Sequence, residues 1–230
     1  MTMGDNLHKG HRKRLKKRFL EVGLDGLQDH EILELLLYYS IPRRNTNEIA
    51  HELIKKCGGF CNVFDADINI LTEVPYITEN STILLKLIPQ LLKKYSLEKH
   101  EHCSENSIEN IMNYAKKLFI GEKFEKLVVI SLNKNLQIIS SRVVATGIIN
   151  TVAVNIKKII EFTYQSNSDM IILAHNHPTG VLMPSSEDIN TTRYLYNILK
   201  PIGITLLDHV IVADNRVISM KDCGVFCLTD

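Results

Sequence analysis

The chain has 230 residues, 45% hydrophobic and 23% charged, the balance of an ordinary globular protein able to bury a sizeable core. A formal net charge of +1 excludes a strongly basic protein, and no apolar run reaches the roughly 18 residues that a membrane span needs. The polar, basic amino terminus lacks the apolar stretch of a secretory signal, which places the expected compartment in the cytoplasm.

The charge is uneven along the chain. "HKGHRKRLKKRF", residues 8–19, holds seven Lys or Arg and no acid. Arg12, Arg14 and Lys17 within it are candidate contacts to DNA phosphates, with a solvated helix face as the competing reading. Leu15, Phe19 and Val22 give that helix an apolar side. "DHEILELLLYYSI" predicts a helix capped by Asp29 and central to its own small core. "NTNEIAHELIKKCGG" predicts another, started by Asn/Thr and stopped by two glycines. "ITENSTILLKLIPQLLKKY" predicts a buried helix that Pro89 kinks or breaks. The polar stretch 96–107 is the expected linker between a helical domain over 1–98 and a second domain over 107–230. His100, His102 and Cys103 in it are read as solvated.

Past residue 107 the period changes. A helix over "SIENIMNYAKKLF" precedes "KLVVISLN" and "LQIIS", a hairpin turned at Asn133-Lys134-Asn135, and then a third strand, "RVVATG". "AVNIKKIIEFTYQS" and "SSEDINTTRYLYNILK" read as helices around the buried strand "DMIILAH". "ITLLDHVIVA" and "RVISM" close as a hairpin at Asp214-Asn215. Strands interleaved with helices on a mixed sheet predict an α/β sandwich.

Five cysteines, Cys57, Cys61, Cys103, Cys223 and Cys227, are an odd number for a disulfide framework. Two of the spacings are C-x3-C, so a four-thiolate zinc site competes with free thiols. The apolar neighbours favour buried free thiols.

The candidate site is "AHNHPTGVLMPSSEDI", residues 174–189. His175 and His177 leave the end of a strand, where alternate residues point to the same side. Asp188 follows at the start of a helix. Two imidazole nitrogens and one carboxylate oxygen leave a tetrahedral position open on Zn²⁺, the arrangement that activates water. Ser185 and Asp188 also read as a helix-capping box. Asp208-His209 opens a later strand, either orienting a liganding histidine or serving the strand alone.

The spacing H-x-H-x7-S-x2-D, intact at His175, His177, Ser185 and Asp188, resembles the signature of the JAMM (MPN+) metalloproteases. With "GITLLDHVIV" after it and the helical amino-terminal region before it, the chain is similar to the RadC branch. The resemblance implies a cytidine-deaminase-like α/β/α fold behind a small helix-hairpin-helix-like domain. It implies Zn²⁺ on His175, His177 and Asp188, a carbonyl-polarising Ser185, and hydrolysis of a peptide or isopeptide bond. Relatives are labelled DNA repair proteins, so DNA is a second expected partner, and a homo-oligomer is left open.

Two departures qualify these expectations. The family's general base is a glutamate five residues before a glycine, and counting back from Gly147 gives Arg142. From Lys126 to Ile160 there is no Glu or Asp, Glu161 falls well inside the next helix, and the usual Pro-Arg-Glu opening of that helix is Asn155-Ile156-Lys157. The expectation is then a poor hydrolase, or a zinc-stabilised interaction module. In "VPYITENS", Tyr76 and Thr78 replace the glycines of the family's hairpin, which weakens the expectation of phosphate contact there.

Overall fold

The computed structural model describes residues 10–101, 107–147 and 154–224. The chain divides into two compact units, Met1–Leu91 and Leu92–Asp230. The boundary lies inside a helix, Glu79–Glu101, which also takes in residues 96–101 of the expected linker. His102 and Cys103 lie outside the described residues, as do Lys9 and Cys227.

The first unit is helical. α1 (His11–Val22) carries the basic segment, and α2 (Asp29–Leu37) is the apolar central helix. Gln28, not Asp29, is the N-cap of α2: Asp29 already has helical backbone and sits in the first turn, where a carboxylate suits the helix dipole. The Glu31 carboxylate reaches back to the Gln28 amide at 3.0 Å. α3 (Thr46–Cys57) starts on Asn45, which accepts from the Asn47 amide at 3.1 Å, and stops at Gly58 with φ 78°. α4 (Phe60–Asp65), α5 (Ile68–Thr72) and α6 (Glu79–Glu101) come next along the chain, and Pro89 lies inside α6 without ending it. Leu33, Leu37, Leu53, Leu71 and Leu85 are fully buried in one cluster. Tyr76 stands at φ 70°, in the left-handed region that favours glycine, with the Arg44 guanidinium 3.9 Å above its ring. The backbone at Tyr76 takes the conformation that a glycine would adopt without strain. Of the cysteines expected to be buried, Cys57 is half-buried and Cys61 exposed; in the second unit Cys223 is exposed too. Cys57 packs at the edge of the first unit's core.

The second unit is a three-layer α/β/α sandwich. After α7 (Ile108–Leu118), the strands β1 (Lys126–Leu132), β2 (Ile138–Thr146), β3 (Met170–Asn176), β4 (Thr205–Ala213) and β5 (Arg216–Ser219) form one sheet in the order β2-β1-β3-β4-β5. Only β3 and β4 pair in parallel. "LQIIS" and "RVVATG", expected as two strands, are one continuous β2, because Ser140, Ser141 and Arg142 keep the ladder to β1 unbroken. The β4–β5 turn falls on Asp214 and Asn215, both at positive φ as a tight hairpin requires. One face, with Leu127, Val129, Ile171 and Leu173, packs under α8 (Ile156–Gln165) and α9 (Ser186–Leu199). The other, with Val128, Ile130, Ile172 and Val210, packs against α7.

A bulge at Leu207 reverses the facing of the rest of β4. Ile171 pairs with Leu206 and Ile172 with Asp208, so one residue of β4 has no partner. Beyond it His209 and Ile211 share the face of Leu173 and His175, beneath α9, and Asp208 turns to the other side.

Candidate metal centre

Strand β3 ends where its parallel neighbour β4 continues, and His175 is the last inward residue of its first face. It is 1% exposed. His177 lies just past the strand, its amide held by the Val212 carbonyl at 2.8 Å. The chain turns at Gly180, φ 80°, against the tip of the β4–β5 hairpin: a Cβ there would come within 2.6 Å of Asp214 Oδ2. It then enters α9 through Ser185, the N-cap. The capping box is complete, with Ser185 Oγ accepting from the Asp188 amide at 3.1 Å and Asp188 Oδ2 accepting from the Ser185 amide at 2.7 Å. The Ser185 hydroxyl also donates to Oδ2 at 2.7 Å.

The cap and the candidate ligand set are therefore one device. With Oδ2 engaged by Ser185, Oδ1 of Asp188 faces His175 Nε2 at 3.1 Å. His175 Nε2 and His177 Nε2 lie 2.8 Å apart, and Asp188 Oδ2 is 3.4 Å from His177 Nε2. His177 Nδ1 donates to the Val181 carbonyl at 2.7 Å, which leaves its Nε2 as a lone pair. All three ligand atoms fall within 4.8 Å of one another, the only such group of three or more His, Cys, Asp or Glu among the described residues. Burial pushes the Asp188 pKa up, but hydrogen bonds with His175 and His177 outweigh it and hold the carboxyl well below its usual range. His177 is raised by its hydrogen bond with Asp188 against the effect of burial. Buried atoms that offer electron pairs to one point make a site for a cation.

Family and relatives bear on the same residues. The family model of the RadC-like JAB domain matches residues 105–225. The chain belongs to the RadC family. UPF0758 protein FN0909 of Fusobacterium nucleatum is 32% identical over 231 residues, covering 97% of this chain and 100% of that protein.

The geometry sets Arg142 of this RadC chain apart from the triad. Arg142 is exposed; its Nη1 donates to Gln165 Oε1 at 3.0 Å, and its guanidinium lies 4.8 Å over the Phe162 ring. In register it is level with Val129 and Leu173, two positions short of His175 and with β1 in between. A further carboxylate, Glu125, lies one residue before β1. The ladder ends at the Leu127–His175 pair, and His177 likewise follows β3 by one residue. Glu125 is half-buried, and its charge contributes to raising the His177 pKa. Its carbonyl accepts from the Gly147 amide at 2.8 Å, and Asn176 clamps both of its neighbours: Oδ1 accepts from the Lys126 amide at 2.8 Å, and Nδ2 donates to the Phe124 carbonyl at 3.1 Å.

Asp208 and His209 part company. Asp208 accepts from Ser219 Oγ at 2.5 Å, the His209 amide at 2.7 Å and the Lys221 amide at 3.1 Å, fastening the end of β5. His209 instead reaches His175, with Nε2 2.7 Å from Nδ1. Burial pushes its pKa well down.

Glu122 braces the segment before β1, bonding Lys93 of α6 at 2.5 Å and Lys126. Burial raises its pKa, but the bonds to Lys126 and Lys93 win and depress it below its ordinary 4.5. A depressed carboxyl stabilises the fold above its unfolded pKa, and that contribution is lost as pH falls through the folded value. Glu122→Gln should therefore cost about 1 kcal/mol at pH 7. In urea unfolding the gap to wild type should close below pH 4.5, and a pH-independent gap would rule this ion pair out as its cause.

Proposed function

We propose that this RadC chain is a zinc-dependent hydrolase of peptide or isopeptide bonds. The observation that carries the reading is the convergence of His175 Nε2, His177 Nε2 and Asp188, with a second carboxylate, Glu125, near enough for its charge to act on His177. Three donors of N and O type with a position left open suit Zn²⁺. When bound, the ion supplies Lewis acidity and lowers the pKa of water.

The chain's own groups do the rest. Glu125 takes a proton from the attacking water and delivers it to the leaving amine as the carbon–nitrogen bond breaks. Ser185, at the exposed N-terminus of α9, turns its hydroxyl from Asp188 Oδ2, which keeps the bond from the Ser185 amide, to the carbonyl oxygen as negative charge develops there. His209 and the Val181 carbonyl hold the two imidazoles in place. With Glu125 present, the interaction module without turnover becomes the outcome that an activity assay would have to establish.

Metal analysis of the purified chain should give about one zinc, the stoichiometry of a single catalytic site. His177→Ala should strip it, and chelation should lower the melting temperature of the wild type alone. Retention of zinc by His177→Ala would place the metal elsewhere. Cleavage of a peptide and isopeptide panel should be chelator-sensitive, and its absence from a zinc-loaded chain would leave only the interaction module.

The basic face of α1 supports a second reading, contact with duplex DNA. Lys13, Lys16, Lys17 and Leu20 line an open groove there together with Arg12. Lys13, Arg14, Lys16 and Lys17 are exposed, a cluster of like charge that suits phosphates.

A further inference from the structure

Thr192 and His209 are wholly buried, and the hydrolytic chemistry gives Thr192 no part. Together with His175 they form one unbroken line. His175 Nδ1 lies 2.7 Å from His209 Nε2, His209 Nδ1 lies 2.6 Å from Thr192 Oγ1, and Thr192 Oγ1 lies 2.5 Å from the main-chain carbonyl of Asp188. The line starts on one candidate ligand and ends on the backbone of another.

Each gap holds one proton, and the far end decides the order. A carbonyl cannot donate, so the proton between Thr192 and Asp188 belongs to Thr192. Having spent its only proton, the Thr192 oxygen accepts from His209. His209 therefore carries its proton on Nδ1 and presents a bare Nε2. That nitrogen accepts from His175 Nδ1–H, and His175 Nε2 is left as a lone pair aimed at His177 and Asp188. The reverse order would set two oxygen lone pairs against each other at 2.5 Å. It would also place a proton on the nitrogen that faces the triad.

A threonine in a helix often bonds the carbonyl one turn back, and that habit alone needs no partner. Here the same hydroxyl is also met by a buried imidazole. The Leu207 bulge is what puts His209 on this face of the sheet.

We infer that Thr192, acting through His209, fixes the tautomer of His175 and so readies the site for a metal ion. Thr192 is a positioning residue: through His209 it reaches His175, and its hydroxyl ties that ligand's geometry to the backbone of Asp188. The inference rests on the proposed metal site, and its test separates the two.

Thr192→Val removes the hydroxyl at nearly constant volume, and Thr192→Ser keeps it. Zinc affinity, measured by competition with a chromophoric chelator, should fall about 10–100-fold in the valine variant and be restored in the serine variant. Long-range ¹H–¹⁵N spectra of the wild type should show His209 as the neutral Nδ1–H tautomer with and without zinc, and Thr192→Val should shift that pattern. A wild-type His209 protonated on Nε2 overturns the inference. So does a valine variant that binds zinc as tightly as wild type with an unshifted tautomer. Should the wild type bind no zinc, the metal reading falls, while the metal-free spectrum still decides the polarity of the chain. Should Thr192→Val fail to fold, the serine variant and the wild-type spectra carry the test.

Discussion

Glu125→Gln should abolish most hydrolysis while leaving zinc in place. Glutamine keeps the shape of the side chain but cannot take a proton from water. General base catalysis contributes about 10²–10⁴-fold, so the loss should be of that size in turnover, with substrate binding little changed. Glu125 sits outside the three ligands, which explains why metal content should not follow activity down. Arg142 provides the control. Its guanidinium is occupied by Gln165 and Phe162, so Arg142→Glu should leave the rate unchanged. A rate gain in Arg142→Glu, with Glu125→Gln fully active, would return the base to the β2 position.

Arg12→Ala should destabilise the helical unit by about 2–3 kcal/mol, since the side chain makes several charge-assisted hydrogen bonds. Arg12 donates to the carbonyls of Pro42, Ile41 and Arg44 at 2.7, 2.8 and 2.6 Å. Its guanidinium also lies 4.4 Å over the Tyr38 ring. Removing it leaves those carbonyls to water and strips a stacked partner from the buried Tyr38. Chemical unfolding of the full chain reads the loss. The geometry thus withdraws Arg12 from the group expected to track DNA, and Arg14 and Lys17 remain. Neutralising those two should reduce the salt slope of duplex binding by about 2, one for each phosphate set free. An unchanged slope would leave α1 as a solvated face with a structural arginine.

Much of the site is legible in the sequence because its ligands are local. Strand alternation aims His175 and His177 together, and the Ser185–Asp188 spacing announces both a helix start and a carboxylate. The structure makes these one object, since the cap holds Oδ2 of Asp188 and leaves Oδ1 to His175. Glu125 escapes sequence reasoning for a different reason. Counting back from Gly147 leads to β2 and Arg142, and the stretch without acids begins at Lys126, one residue past Glu125. What brings Glu125 near His177 is instead the antiparallel pairing of β1 with β3, which links residues far apart in sequence. Strand pairing is the signal that could have found it: an acid at the head of a buried strand beside the histidine strand. His209 is hidden by the bulge at Leu207, since simple alternation from Leu206 puts Asp208, and not His209, on the face of the site. The merged β2 and the helical residues 96–101 show the same limit, where polar residues look like breaks and the ladder or the helix carries through them.

The order in which these parts come together has its own consequence. His175, His177 and Asp188 lie within one strand-turn-helix segment, so joining them closes only a short loop, a small entropic cost. Glu125 arrives only when β1 docks beside β3, a contact between distant stretches of chain, which is the slower kind to form. A partly folded molecule that has closed the short segment alone would hold an ion and lack its base. Hydrolytic competence would then appear last, as a property of the finished sheet, and a newly made chain would be spared an unguarded protease during its own folding.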